Sequence, residues 1–133
     1  PEVVLKQAKD EAEAFKAQLV SLLESWEEQG LTRPEDVLIL HLRSNLDQSL
    51  IGPAVPADDR GNRWLGPYRL RPEGTDGPGL RHCSIHKAKG LDSRAVILIG
   101  VKASNSTDLE DHDRYTLFMG ASRARQLLAI FHR

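Results

Sequence analysis

Residues 82–101 read HCSIHKAKGLDSRAVILIGV, and the reading of this stretch decides the fold. Two apolar runs, one ending near Ile85 and one spanning Ala95 to Val101, flank a seven-residue insert that holds a histidine, two lysines, a glycine and an acid. A plain turn between core strands needs only one or two turn residues. The β-branched run after the insert predicts a buried strand, and Leu80 to Ile85 predicts another. Outward from this pair, Val37-Leu38-Ile39-Leu40 is a short continuous apolar run of the kind covered on both faces of a parallel sheet. Leu127 to Phe131 predicts a last strand.

Helical patterning alternates with these strands. Val4, Ala8, Ala12, Phe15, Leu19, Leu22, Leu23 and Trp26 recur at helical spacing, so a helix is expected from Val4 to Trp26, with Gly30 as its C-terminal cap. A short helix is expected from about Asn45 to Leu50. Thr107 and Glu110 form a capping box for a helix running to about Arg125, with Tyr115, Phe118, Met119 and Ser122 along one face. Gly120 interrupts that helix, which costs about 1 kcal/mol against alanine and signals close packing. Alternating helices and buried strands argue for an α/β sandwich with a mostly parallel sheet.

The stretch 52–79 differs. It holds five of the seven prolines, at Pro53, Pro56, Pro67, Pro72 and Pro78, together with several glycines. It predicts a long loop holding one hairpin around Gly66-Pro67. Trp64 and Tyr68 there either stack on bases or pin the loop to its own domain.

Composition sets the outer limits. The chain of 133 residues, 40% hydrophobic and 28% charged, fits one domain. Its formal net charge of −1 combines an acidic first stretch (Glu11, Glu13, Glu24, Glu27, Glu28) with a basic end (Arg114, Arg123, Arg125, Arg133). A local polyanion site therefore remains compatible with the near-neutral total. One cysteine, Cys83, permits no internal disulfide, and a reducing, cytoplasmic setting is expected. No apolar run is long enough to span a bilayer, so no membrane partner is expected. The chain opens on Pro1 rather than methionine, which suggests a piece of a longer protein.

Ligands of open α/β sheets gather beyond the carboxyl ends of the strands. His86 to Asp92 follows such an end, and strand alternation would let Ser84 and His86 share a face. A hydroxyl, an imidazole and the charges of Lys87 and Lys89 suit a phosphate. Gly90 admits close backbone approach, and Asp92 can accept from a sugar hydroxyl. A solvated lysine-rich turn is the bland alternative. In Tyr115 to Phe131, YTLFMGASRARQLLAIF, Arg123 near a helix end is favoured by the helix dipole and needs no function on that ground alone.

Taken together, the two stretches resemble motifs V and VI of superfamily-one DNA helicases of the UvrD/Rep type. That family carries T-x-H-x-x-K-G-L-E after a strand, matched here by Ser84 to Asp92. It carries Y-V-A/G-x-T-R-A on a later helix, matched by Phe118 to Ala124. Residues 35–50, EDVLILHLRSNLDQSL, resemble the strand and R-x-N-x-x-S/Q segment that precedes them. The likeness covers residues 1–51 and 80–133.

The resemblance implies a RecA-like three-layer sandwich, the second motor domain, called 2A, over residues 1–133. The loop at 52–79 would stand in place of a 2B insertion. It implies that Lys89, Gly90 and Asp92 face ATP, and that Arg123 is an arginine finger reaching the γ-phosphate. Ser84, His86 and Lys87 would contact a single DNA strand. ATP with Mg2+ would be held mainly by an N-terminal RecA-like motor domain of the same parent, acting in DNA repair or a related process. Ser84 and Ser122 stand for threonines, Asp92 for a longer glutamate and Phe118 for tyrosine. No G-x-x-x-x-G-K-[ST] occurs, and no Walker B carboxylate pair follows an apolar strand. The chain alone is therefore expected to hydrolyse no ATP, and no metal site is expected in it. The competing expectation is a helicase-like domain without motor activity, acting as a binding or regulatory module.

Overall fold

A computed structural model describes residues 2–43, 45–88, 91–101 and 124–133. Seven strands form one sheet in the order β1-β7-β6-β2-β5-β4-β3. They are β1 (Glu2–Gln7), β2 (Val37–His41), β3 (Arg63–Leu65), β4 (Tyr68–Pro72), β5 (Leu80–Ser84), β6 (Ser93–Val101) and β7 (Ala124–His132). Every neighbouring pair is parallel except the β3–β4 hairpin at one edge. The α/β class with a mostly parallel sheet is as the sequence predicts.

Among the described residues one long helix, α1 (Ala12–Glu28), packs on one face. Glu11 caps its start, accepting from the N–H groups of Glu13 and Ala14, each at 3.1 Å. At its end Gly30 takes φ 71°; its N–H bonds Glu27 O and the N–H of Leu31 bonds Trp26 O at 2.8 Å. This paired closure needs a left-handed residue, which glycine supplies at least cost. Phe15, Leu19, Leu22, Leu23 and Trp26 bury against Val37, Ile39, Ile97 and Phe131. The Phe15 and Phe131 rings meet at 5.4 Å and 56°. A second cluster (Leu38, Leu40, Val96, Leu98, Leu128, Ile130, with Cys83, Ile85 and Ala88) is buried on the opposite face. Successive strand residues feed opposite faces. Two buried clusters therefore account for the continuous apolar runs of β2 and β6.

The helix expected from Val4 is corrected: Glu2–Gln7 is a strand, and the helix begins at Ala12. β1 lies parallel to β7, Val4 beside Ala129, and Val4 still packs on the core of the α1 face. Asn45 to Leu50 is one 3-10 turn, Leu46–Gln48, capped by the Asn45 side chain accepting from Gln48 N–H. The stretch 52–79 is no simple loop, because β4 joins β5 in parallel and carries the hairpin into the sheet. Its turn is at Gly66-Pro67, as expected, with Gly66 at φ 59°. The Thr107–Glu110 capping box and the helix it would start lie outside the described residues. The expected end of that helix is corrected, since Ala124 and Arg125 already belong to β7.

Candidate nucleic-acid and nucleotide site

Parallel register brings His41, at the end of β2, level with Ser84 at the end of β5. Beyond these carboxyl ends opens a cavity of about 360 Å³. Its lining includes His41, Arg63, His82, Ser84 and Lys87. Ser84 is buried, whereas Lys87 is exposed at the rim. The cavity thus combines a hydroxyl, an ammonium and two imidazoles. Arg63 is already committed: its Nη1 lies 2.7 Å from Asp47 Oδ1 and donates to Val55 O.

The imidazoles are held neutral. His41 Nδ1 lies 2.9 Å from the Arg43 carbonyl oxygen, so that nitrogen carries the proton and donates. Burial lowers the His41 pKa, and the charge of Lys87 lowers it further, against the raising effect of that hydrogen bond. His82 is pushed down to about 4, by burial first and then by His41 and Arg63. The buried His82 Nδ1 has no hydrogen-bond partner among the described residues. Cys83, between His82 and Ser84, has its thiol pushed up to about 11 by burial, so it stays protonated and unreactive. Among the described residues no group of three or more His, Cys, Asp or Glu side chains could hold a metal.

His86 does not join this lining. The strand stops at Ser84, and Ile85–Lys87 forms a 3-10 turn, so strand alternation no longer relates Ser84 to His86. The expectation that the two share a face is corrected accordingly: Ser84 is buried and His86 exposed.

Asp92 lies elsewhere. It directly precedes Ser93, whose Oγ donates to Asp36 O at 2.8 Å at the amino end of β2. Arg81 Nη2 donates to the same Ser93 hydroxyl at 2.7 Å, and its Nη1 pairs with Glu73. The insert is therefore a crossover from the carboxyl end of β5 to the amino end of β6, not one loop at the carboxyl ends. Ala88 is buried, and Leu91 N–H bonds its carbonyl at 2.9 Å, which ties the insert to the second core cluster. The exposed Asp92 carboxylate faces Arg125 at 3.8 Å, a loose surface pair. Lys89, Gly90 and Arg123 lie outside the described residues.

Residues 80–131 match the UvrD-like helicase C-terminal domain. This UvrD-like segment holds β5, β6 and β7, and with them both stretches that carry the motif resemblance. The fold is similar to a crystal structure described as the C-terminal domain of a possible DNA helicase from Lactobacillus plantarun WCFS1. The TM-score is 0.65 at 21% identity, over 99% of this chain and 73% of that one. At that identity the likeness speaks for the fold alone. No curated protein matches the chain significantly.

Sequence reasoning did not single out His41, His82 or Arg125. The first two become neighbours only through parallel register. Arg125 meets Asp92 because β7 starts beside β6, with Ala124 opposite Ser93. Among the described residues no helix is long and apolar enough to cross a membrane.

Proposed function

We infer that the chain is the C-terminal motor domain of an ATP-dependent DNA helicase or translocase. The carrying observation is that the UvrD-like segment supplies β5, β6 and β7, the strands on both sides of β2 in the sheet, and contains the motif-like stretches in the family's order. In this reading residues 1–133 form the 2A domain, with the β3–β4 hairpin region, 52–79, in place of a 2B insertion.

A single DNA strand crosses the carboxyl ends of β2 and β5. Lys87 meets a phosphate and the Ser84 hydroxyl donates to the backbone, with His86 alongside; such contacts position a strand without reading its sequence. Nucleotide contacts are assigned to Lys89, Gly90 and Asp92, of which Asp92 lies at the amino end of β6, on the other side of the crossover. The loosely paired Asp92 carboxylate is free to accept from a ribose hydroxyl. Arg123 supplies positive charge to the phosphoryl group in transfer, an effect worth about 10³–10⁵ in rate for such fingers. ATP with Mg2+ is held mainly by the N-terminal motor domain of the parent, in a cytoplasmic setting that suits the buried thiol.

A second reading, a binding or regulatory module without motor activity, draws on Asp92, which is shorter than the usual glutamate and already faces Arg125. One comparison separates the two. DNA-stimulated ATP turnover by the parent, with none by this chain alone, supports the motor reading. Turnover by this chain alone contradicts the half-site assignment, and a parent without turnover supports the module.

A further inference from the structure

Trp64 is 44% exposed, while the other described aromatic rings (Phe15, Trp26, Tyr68 and Phe131) are buried. It is not a loose side chain. Its Nε1–H donates to Asp58 Oδ2 at 3.2 Å, and Asp58 Oδ1 accepts the backbone N–H groups of Arg60 and Asn62, each at 2.9 Å. Behind it the hairpin turn is seated on α1: a Cβ added at Gly66 would come within 2.8 Å of Val20 Cγ2. An indole fixed in this way loses little freedom on binding, and tryptophan is enriched among interface hot spots.

Beside this indole, at the amino end of the sheet, runs an open groove of about 390 Å³. Tyr68, Pro34, Pro67 and Pro78 line it, together with Glu35. Tyr68 also borders a second hollow, of about 260 Å³, lined by Glu24, Glu27 and Glu28. Arg69 lines the first hollow, but its Nη2 donates to Asn62 Oδ1 at 3.0 Å and its charge faces the Asp58 carboxylate. Four carboxylates, Glu24, Glu27, Glu28 and Glu35, thus line the two hollows against the single guanidinium of Arg69.

We propose that this groove docks a cationic, proline-containing peptide segment in polyproline-II form. Such a chain leaves its backbone solvated and lays its rings on aromatic and proline surfaces. Its arginine or lysine side chains meet Glu24, Glu27 and Glu28. The same carboxylates repel a phosphodiester backbone, which argues against base stacking on Trp64. The groove opens at the amino end of the sheet and the histidine-lined cavity at the carboxyl ends, so this proposal does not depend on the motor reading.

The test is a titration followed through the two indole N–H resonances of Trp26 and Trp64. The probes are a short synthetic peptide alternating proline pairs with arginine, its glutamate counterpart, and oligodeoxythymidylate. The arginine peptide should shift the Trp64 resonance saturably and leave that of buried Trp26 in place. Trp64→Ala should abolish binding with an unchanged thermal melt. Glu24→Lys combined with Glu28→Lys, both on the exposed face of α1, should weaken it about tenfold. No saturable shift with the arginine peptide, equal binding of the glutamate peptide, or preference for oligodeoxythymidylate would each overturn the proposal.

Discussion

His41 and His82 face each other from adjacent parallel strands, their ring centroids 6.1 Å apart at 39°. Their shared cavity keeps both neutral, and protonating either one disfavours the other. Their folded-state pKa values are lowered, His82 to about 4, so their contribution to stability is present above the ordinary value near 6.5 and lost as pH falls toward 4. Urea unfolding should show stability falling by about 2 kcal/mol across this window. His82→Gln should flatten that part of the profile. An unchanged slope in the variant would remove the pair from this role.

The strand contact proposed for Lys87 is the one most open to test. In the parent protein Lys87→Glu should weaken binding of all single-stranded sequences alike and reduce the salt slope by about one counterion. A sequence-dependent loss, or no change in slope, would contradict a phosphate contact. The chain alone, with few cations at the cavity, should bind single-stranded DNA weakly and only at low salt.

Gly66 couples hairpin to helix. Gly66→Ala places a side chain at φ 59° and against Val20, and should cost about 1–2 kcal/mol or more. The thermal midpoint reports this directly. A midpoint equal to the parent sequence would mean that the turn adapts freely.

Phe131, fully buried, joins β7 to α1 through Phe15. Truncation to alanine leaves a cavity in the largest cluster and should cost about 3–5 kcal/mol, a large share of a small domain's stability. A shift below about 1 kcal/mol in urea would show that the site collapses around the loss.

What the sequence revealed and what it concealed divide along physical lines. β2, β5 and β6 were legible because strands buried on both faces are continuous apolar runs. β1 was not: Val4, Ala8, Ala12 and Phe15 fall at helical spacing, yet Glu2–Gln7 gains a parallel partner in β7, and that tertiary pairing outweighs the local pattern. The Pro/Gly-rich stretch looked like a loop because its prolines and glycines masked the short alternation of Tyr68-Arg69-Leu70-Arg71 in β4. At the candidate site, the position of Ser84 and Lys87 at the end of a strand was legible. The separation of Asp92 from them was hidden, because linear proximity does not show that a connection crosses the sheet from one end to the other. His41 and His82 became a pair through strand order, which composition does not encode.

The most direct test is DNA-stimulated ATP hydrolysis by the parent protein carrying Arg123→Ala, measured beside ATP binding. The expected result is a fall in turnover of about 10³-fold or more with nucleotide affinity largely retained. Near-normal turnover in that variant would contradict the assignment of this domain as the half that supplies the finger.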